Sequence, residues 1–378
     1  MKVCISVPGR FHGFDLAREL QKHGVLACLV TSYPSYRAAN FGIDRKFVIS
    51  IVGTEVVIRG WQKIFGYYPN WFWLNEWYDL VAAHKLPMDA DIYVLWAGFA
   101  LHTIRRVRRL NPKAIIILER GSAHIEEQRR LLGLVGQGSL VSESIVEKEL
   151  SEYDAVDAIS VPGRFAYNTF VEKGIRKEKI FVNPYGVDLS LFSKKGTQDM
   201  SSDFTVGYVG SISKQKNIVG LVSAIRGLIL KGYKVKLLVA GGIDRHSYPF
   251  DFLSQFPFVS YLGGLPQIKL PDIYKRMDVF VLNSVHDGFG MVLLQAMATG
   301  VTPIATYNSG GLDIIEEGVN GYLIPILDDL ALANCIERLI NSRNRNIELG
   351  LAARETVLNG FGWEDYGDRA VEFYKEIK

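Results

Sequence analysis

The sequence predicts an α/β protein of two doubly wound parallel sheets, and three observations lead to this prediction. The chain has 378 residues, and at about 150 residues per domain this length favours two domains. Short apolar runs rich in β-branched residues alternate with amphipathic stretches, as in βαβ units. This alternation restarts after the break at Asn183-Pro184-Tyr185-Gly186. We therefore expect two Rossmann-like domains that face each other across a cleft.

The predicted strands are short and apolar on both faces, which is typical of buried parallel strands. In the first series they are Val3–Val7, Val25–Val30, Ile92–Trp96, Ala114–Leu118, Ala158–Val161 and Ile180–Asn183. In the second series they are Thr205–Val209, Val235–Ala240, Asp278–Leu282, Thr302–Ala305 and Tyr322–Ile324. Amphipathic spacing predicts helices such as Asp15–Lys22 and Ile218–Lys231.

The two series set the expected domain division. Residues 1–185 form the first domain and residues 186–362 the second. A last amphipathic helix, within residues 363–378, is expected to cross back to the first domain.

Composition and charge exclude several classes of protein. The hydrophobic fraction of 48% and charged fraction of 22% are those of a globular chain rather than a disordered one. Three scattered cysteines predict neither a disulfide framework nor a zinc site, and favour a cytoplasmic location. The sequence has no apolar run of about 18 residues that could span a bilayer. Residues 1–130 carry 18 Lys and Arg against 11 Asp and Glu, so the net charge of +3 conceals a basic first third.

Glycine-rich loops follow three strands of the second series. After Val209 come Gly210 and Ser211, and then Lys216, whose charge suits a phosphate. After Leu282 the segment Asp287-Gly288-Phe289-Gly290 leads into a helix from about Met291, whose free amides suit a diphosphate. The third loop is Thr306-Tyr-Asn-Ser-Gly-Gly-Leu-Asp313. Turn chemistry alone poorly explains three such loops, although a solvated Lys216 and an Asp287 that only caps the helix remain alternatives.

These motifs together resemble the retaining, GT-B-fold glycosyltransferases of family 4, the glycosyl transferases group 1. The resemblance covers nearly the whole chain and is strongest over residues 183–325. It is carried by Tyr185-Gly-Val-Asp188, Val209-Gly210 with Lys214 to Asn217, Asp287-Gly-Phe-Gly290, Gln295-Ala-Met-Ala-Thr-Gly300 and Gly318-Val-Asn-Gly-Tyr-Leu323.

The resemblance implies a fold, an activity and a set of site residues. It implies transfer of a sugar from a UDP-, GDP- or other nucleotide-diphosphate sugar to a saccharide or lipid-linked acceptor, with retained configuration and without metal or other cofactor. Lys216, Asp287 and His124 are the expected catalytic residues. The expected donor-site residues are Gly210, Ser211, Lys216, Gly264, Leu265, Asp287, Gly288, Phe289, Gly290, Met291, Val292 and Gln295. The remaining expected cleft residues are Gly9, Arg10, Glu119, Arg120 and Tyr185.

The chain departs from the family pattern at three places. Ser211 stands where the family has an arginine, and Gln295 stands where the second of two glutamates binds the ribose. An amide still hydrogen-bonds hydroxyls but lacks the stronger charge-assisted bond. The family's N-terminal glycine pair is also absent from Pro8-Gly-Arg-Phe-His-Gly13. We hypothesise that Arg10 replaces the missing arginine from across the cleft, so that Arg10→Ala should raise the donor KM or lower kcat.

Polar residues follow the predicted strand Ala114–Leu118 of the first domain. His124 is the expected polar residue of the catalytic pocket by the resemblance, and a capping or surface histidine is the alternative. Glu119 and Arg120 could simply pair with each other. In the family's retaining mechanism the departing phosphate can take the acceptor's proton, so no general base is required.

An aromatic segment and a basic segment suggest contact with an anionic membrane. Residues 61–78 hold four of the six tryptophans, namely Trp61, Trp71, Trp73 and Trp77. Arg105-Arg-Val-Arg-Arg109 adds positive charge. Peripheral membrane attachment is the functional interpretation, while core packing, a sugar-stacking lid and a solvated arginine face are the alternatives.

Other signals carry less weight. Asp89-Ala-Asp91 precedes a predicted strand rather than following one, so we do not expect a metal site there. The basic charge comes without a nucleic-acid-binding motif, and we expect no nucleic-acid partner. A GT-B epimerase or phosphorylase, or a non-catalytic nucleotide-sugar-binding protein, remain the alternative functions.

Overall fold

The chain folds into two parallel sheets, which confirms the predicted fold class. The computed structural model describes residues 1–65, 72–193 and 203–378. Within them, the strand order is β3-β2-β1-β4-β5-β6-β7 in the first sheet and β10-β9-β8-β11-β12-β13 in the second. The first sheet comprises β1 (Val3–Val7), β2 (Leu26–Thr31), β3 (Val48–Ser50), β4 (Ile92–Trp96), β5 (Ile115–Glu119), β6 (Ala158–Val161) and β7 (Ile180–Val182). The second comprises β8 (Phe204–Val209), β9 (Val235–Ala240), β10 (Val259–Tyr261), β11 (Val279–Leu282), β12 (Thr302–Thr306) and β13 (Tyr322–Ile324).

Helices connect these strands, as a parallel sheet requires. In the first half they are α1 (Gly13–Lys22), α2 (Ser35–Ala38), α3 (Val52–Phe65), α4 (Phe72–Lys85), α5 (Leu101–Leu110), α6 (Ile125–Gly133), α7 (Glu143–Ala155) and α8 (Arg164–Glu172). In the second half they are α9 (Ile218–Leu230), α10 (Leu270–Tyr274), α11 (Met291–Ala298), α12 (Gly311–Ile314), α13 (Asp329–Asn341), α14 (Arg343–Leu358) and α15 (Trp363–Ile377).

The sequence analysis did not predict two short strands, β3 and β10, and each lies at the outer edge of its sheet. β3 is half-buried throughout, and β10 alternates between half-buried and exposed residues. Neither therefore shows the continuous apolar run that marks a central strand. The central strands begin and end within one or two residues of their predicted positions, because β1, β4, β6, β8 and β11 are buried on both faces.

The last helix packs against the first domain. α15 lies against α1, where Gly367 approaches so closely that a Cβ atom would lie 2.4 Å from the Glu19 Cβ. The Phe373 ring stacks on Phe181 of β7, with ring centroids 4.0 Å apart. These contacts join the end of the chain to the edge and face of the first sheet.

No helix among the described residues is both long enough and apolar enough to cross a membrane.

Candidate active site

The strand order places two of the predicted loops beside each other. β8 and β11 are neighbours in the second sheet, and the connections from them leave towards opposite sides, which is the usual place for a ligand in such sheets. The loop after β8 carries Lys216 and the loop after β11 carries Asp287. The Lys216 Nζ lies 2.5 Å from the Asp287 Oδ2, and both side chains are mostly but not wholly buried. The structure therefore brings together the cation and the carboxylate that the sequence predicted separately.

The start of α11 lies next to this ion pair. Gly290 adopts the left-handed conformation with φ near +80°, and a Cβ atom there would lie 2.6 Å from the Leu282 side chain, so glycine is required. Met291 and Val292 begin the helix, and the first amides of a helix have no partner within it. These amides and the Lys216 ammonium supply hydrogen-bond donors suited to a diphosphate, while in this conformation Asp287 balances the charge of the lysine.

Four other residues were predicted for the donor site, and they have fewer contacts with the Lys216–Asp287 pair. They are Gly210, Ser211, Gly264 and Leu265. Gly210 follows β8 with φ near +149°, and the carbonyl oxygen of the exposed Ser211 accepts a hydrogen bond of 2.6 Å from the Tyr208 hydroxyl. Gly264 is exposed and Leu265 half-buried in the loop between β10 and α10. No hydrogen bond or ion pair between described residues joins Gly264 or Leu265 to Lys216 or Asp287.

Gln295 projects from the second turn of α11 and is held by a tyrosine. Its side-chain oxygen accepts a hydrogen bond of 3.0 Å from the Tyr274 hydroxyl, which also lies 3.2 Å from the Val292 carbonyl oxygen. Gln295 is buried to 8% exposure. The amide is therefore oriented by its neighbours at the position where the resemblance predicts ribose binding.

On the first-domain side, Glu119 and Arg120 do not pair with each other. The carboxylate of Glu119 lies 3.3 Å from the Nε2 of His12, and the Arg120 guanidinium binds Glu149 at 2.8 Å. Their side chains separate because successive residues at a strand end point to opposite faces. Burial alone would lower the pKa of Arg120, but Glu149 and Tyr153 raise it above its ordinary value.

His12 is a cleft residue that the sequence reasoning missed. It follows β1, and its ring packs on Tyr185 and Trp96 with centroid separations of 4.3 and 4.9 Å. Tyr185 in turn meets Phe289, with ring centroids 5.7 Å apart, in the loop between β11 and α11 (residues 283–290), which is called the donor loop after its predicted role. The available signal was the position of His12 in the short loop between the first strand and the helix that follows it.

His124 occupies a capping position. Its Nδ1 accepts a hydrogen bond from the amide of Glu126 at the start of α6, and its ring packs against Tyr153 and Phe170. Burial lowers its pKa to about 4. This geometry is the capping alternative that the sequence left open, and the predicted pocket role of His124 stays a prediction.

Arg10 lies on the first domain. Its guanidinium stacks over the Phe41 ring at 4.2 Å, while the Gly9 amide donates to the Ser32 hydroxyl at 3.0 Å. For Arg10 to replace the family's arginine, its side chain would have to leave Phe41 and reach across the cleft.

The two domains touch directly beside the donor loop. A Cβ atom on Gly288 would lie 1.8 Å from the Gly121 carbonyl oxygen, so only glycine permits this approach. On the same side, the carboxylate of Asp313 accepts the Arg164 backbone amide at 3.0 Å through both oxygens. Gln137 also donates to the Ser247 hydroxyl at 2.9 Å. The described conformation is therefore closed around the site.

The aromatic and basic segments are partly described. Phe65, Tyr67, Tyr68 and Trp71 belong to the predicted aromatic segment, but their side chains lie outside the described residues. Trp73 and Trp77 are exposed, whereas Tyr78 is buried in the core. Of the arginines, Arg105 and Arg109 are exposed, and Arg108 pairs with Asp157 at 2.9 Å.

The Asp89-Ala-Asp91 carboxylates bind lysines. Asp89 pairs with Lys2 at 2.7 Å, and Asp91 pairs with Lys378 at 2.9 Å. Within residues 1–65, 72–193 and 203–378, no cluster of His, Cys, Asp and Glu has the geometry to hold a metal ion.

Comparison with known proteins finds a family match within the second half of the chain. Residues 192–356 match the profile of the family described as Glycosyl transferases group 1. The chain is 28% identical over 248 residues to the capsular polysaccharide biosynthesis glycosyltransferase CapM of Staphylococcus aureus, covering 61% of this chain and 65% of that one. It is 23% identical over 384 residues to the lipopolysaccharide 1,2-N-acetylglucosaminetransferase of Salmonella typhimurium, covering 96% and 92% of the two chains. The alignment with CapM thus spans less than two thirds of that relative.

Solved structures share the whole architecture. Sucrose-phosphate synthase from Thermosynechococcus elongatus superposes with a TM-score of 0.73 at 17% identity, over 100% of this chain and 99% of that one. Anabaena HepE in complex with UDP and glucose superposes with a TM-score of 0.68 at 16% identity, over 100% of both chains. At these identities the similarity establishes the fold alone. The architecture of both sheets gives the chain the GT-B fold, and within it residues 192–356 are similar to the group 1 glycosyl transferases.

Proposed function

We propose that this protein is a retaining, metal-independent glycosyltransferase that moves a sugar from a nucleotide-diphosphate sugar to a glycan or lipid-linked acceptor. The observation that carries the proposal is the Lys216–Asp287 pair beside the free amides of α11, at the switch point of the second sheet. The names of CapM and of the Salmonella transferase, both glycan-building enzymes, support this class of activity. The proposed division of labour gives residues 186–362 the donor, and residues 1–185 with 363–378 the acceptor.

In the proposed reaction, the residues of the second domain stabilise the leaving group. Lys216 and the amides of Met291 and Val292 bind the diphosphate and stabilise the charge that develops on it. Asp287, which holds Lys216 in the described conformation, then contacts the transferred sugar. The bond between the anomeric carbon and the phosphate oxygen breaks, and the bond to the acceptor oxygen forms. The acceptor's proton passes to the departing phosphate oxygen, so the reaction needs no separate general base.

The proposal includes peripheral contact with an anionic membrane through the first domain. Trp73 and Trp77 are exposed on α4, and Arg105 and Arg109 are exposed on α5, which packs against α4. Aromatic and basic side chains on neighbouring helices suit the surface of an anionic bilayer. Such contact would bring a lipid-linked acceptor to the cleft.

A thermal-shift panel of nucleotides and nucleotide-sugars tests the proposed activity. A ligand that binds the folded state raises Tm by mass action, so the correct donor should stabilise the wild-type protein. Lys216→Gln should weaken donor binding roughly 30-fold, because hydrogen bonds to charged groups contribute about 2 kcal/mol. The matched control is Lys231→Gln, which removes a lysine paired with Glu337 on the surface of the same domain.

Two results would contradict the proposal. If Lys216→Gln and Lys231→Gln bind the donor equally well, the diphosphate does not lie at the start of α11. If the wild-type protein binds a nucleotide-sugar but neither transfers nor hydrolyses it, the chain is a binding protein rather than an enzyme.

A further inference from the structure

His286 is a buried histidine without a hydrogen-bonding partner in the part of the chain that the structure describes. It precedes Asp287 in the donor loop and is 1% exposed. Neither its Nδ1 nor its Nε2 has a hydrogen-bond partner among the described residues. Two other buried histidines of the cleft region are paired, since His12 contacts Glu119 and His124 accepts the Glu126 amide. Burial alone therefore does not explain the isolation of His286.

The neighbours of His286 place it where the two domains meet. The preceding residue, Val285, is buried in one cluster with Ala123, Leu131 and Phe165 of the first domain. The charged groups whose electrostatic field reaches the His286 ring come from both domains. Asp287 and Lys216 come from the loops after β11 and β8, and Arg120 and Glu127 come from the first domain. The imidazole thus lies between the predicted diphosphate site and the acceptor side.

The chemistry of a neutral imidazole limits what His286 can bind. Burial lowers its pKa to about 4, so the ring is uncharged near neutral pH. A neutral imidazole presents one N–H donor and one nitrogen acceptor. Leaving such groups buried and unsatisfied destabilises a folded protein by about 1–3 kcal/mol each. A sugar hydroxyl both donates and accepts, so it can satisfy either nitrogen without bringing charge into a buried position.

We propose that His286 is a specificity-determining residue that hydrogen-bonds a hydroxyl group of a sugar bound in the closed cleft. This inference rests on the proposed transferase function and assigns a further contact within the same site. The hydroxyl belongs either to the transferred sugar of the donor or to the acceptor saccharide, since His286 lies between the two.

His286→Leu separates a sugar contact from a structural role. Leucine is similar in size and removes both unsatisfied nitrogens, so the free protein should keep its Tm or gain about 2 °C. Binding of the nucleoside diphosphate alone should not change, because that ligand lacks the sugar. If the hydroxyl is the donor's, affinity for the intact nucleotide-sugar falls roughly 10-fold. If it is the acceptor's, the acceptor KM rises roughly 10-fold while donor hydrolysis is unchanged.

Two further variants complete the experiment. His286→Gln retains a polar group and should recover part of the lost affinity, and it serves in place of His286→Leu if the leucine variant does not fold. Ser50→Ala is the control, because it removes from β3, at the far edge of the first sheet, a buried hydroxyl that has no hydrogen-bond partner within the described ranges. It should leave the binding of both sugars unchanged.

Three results would overturn the inference. A fall of several degrees in the Tm of free His286→Leu would assign the side chain a structural role. Wild-type affinity for nucleotide-sugar together with wild-type acceptor KM would exclude a sugar contact. Equal weakening of nucleoside diphosphate and nucleotide-sugar would place His286 at the nucleotide instead. If the wild-type protein itself bound no nucleotide-sugar, the proposed function would fail first, and that failure is visible before any variant is made.

Discussion

Asp313 joins the two domains by capping a helix that belongs to the other one. Both of its carboxylate oxygens accept the amide of Arg164, the first residue of α8, at 3.0 Å. The residue before α8 is Gly163, which has no side chain to cap the helix itself. A Cβ atom on Gly163 would lie 2.5 Å from the Asp313 Oδ2, so the glycine leaves room for the carboxylate. We predict that Asp313→Ala shifts the protein from the closed towards the open arrangement.

The expected magnitude follows from these contacts. Removing the capping Asp destabilises the closed arrangement by about 1 kcal/mol relative to the open one. Loss of the negative charge at the start of α8 destabilises the closed arrangement by about 0.5 kcal/mol more. The ion pair with the Arg164 guanidinium adds little, because that side chain is 64% exposed. Burial raises the pKa of Asp313 to about 6, so desolvation offsets part of the gain. The two favourable contributions sum to about 1.5 kcal/mol before this offset, so the ratio of closed to open molecules changes by about tenfold at most.

The assay combines small-angle scattering with steady-state kinetics at pH 8, where Asp313 is ionised in both arrangements. The variant should show a larger radius of gyration without ligand, and a donor KM raised up to tenfold, because binding must first restore closure. The matched control is Asp328→Ala. Asp328 caps α13 from within the second domain by accepting the Ala331 amide at 2.8 Å. Its loss should lower the free energy of unfolding by about 1 kcal/mol without changing the radius of gyration or KM.

Equal effects of the two variants would refute this reasoning. If Asp313→Ala and Asp328→Ala lower Tm alike and leave the radius of gyration at its wild-type value, Asp313 stabilises α8 without controlling closure.

Two other predictions concern buried polar groups. Gln295→Glu restores a carboxylate that keeps the bond from Tyr274 and offers its second oxygen to ribose hydroxyls, so calorimetry should show about fivefold tighter nucleotide binding; weaker binding would contradict this placement of the ribose. Glu152 accepts the amides of Gly98 and Ala100, yet burial raises its pKa to about 8. The folded state therefore holds this proton more tightly than the unfolded state, and the associated stability is present below about pH 4.5 and lost as pH rises through about 8. Glu152→Gln should thus lose less Tm than the wild type between pH 5 and 8 in a thermal-melting series, and parallel curves for the two proteins would contradict the assignment.

The central strands could be predicted because burial on both faces requires a short, continuously apolar stretch of sequence. β4 and β11 are apolar at every position, and a strand buried on both faces needs no long-range information to be identified. The edge strands β3 and β10 depend on pairing with a neighbour on one side only, and their exposed positions resemble loop residues. The glycine loops at strand ends were predictable for the same local reason, since a positive φ such as that of Gly290 selects glycine.

The partners of the site residues could not be predicted, because they come from distant parts of the chain. Glu119 meets His12 across 107 positions, and β5, which ends at Glu119, is separated by β4 from β1, which precedes His12. Asp313 meets Arg164 across 149 positions and across the domain boundary. The isolation of His286 is likewise a property of the docked domains. Sequence patterns name the residue types at strand ends, but the pairing depends on how the two sheets face each other.

The closed geometry also changes the interpretation of the glycines in the donor loop. The sequence assigned Gly288 and Gly290 the same purpose, namely access of an anion to the backbone. In the structure, Gly290 adopts the left-handed conformation from which α11 begins. Gly288 instead faces the Gly121 carbonyl oxygen of the first domain. A side chain at Gly288 would therefore obstruct closure before it obstructed the anion. Because Asp287 lies between Lys216 and this point of contact, a bound diphosphate that draws Lys216 away would alter the same loop on which the first domain closes. Under the proposed function, donor binding and closure would therefore be coupled through this one loop.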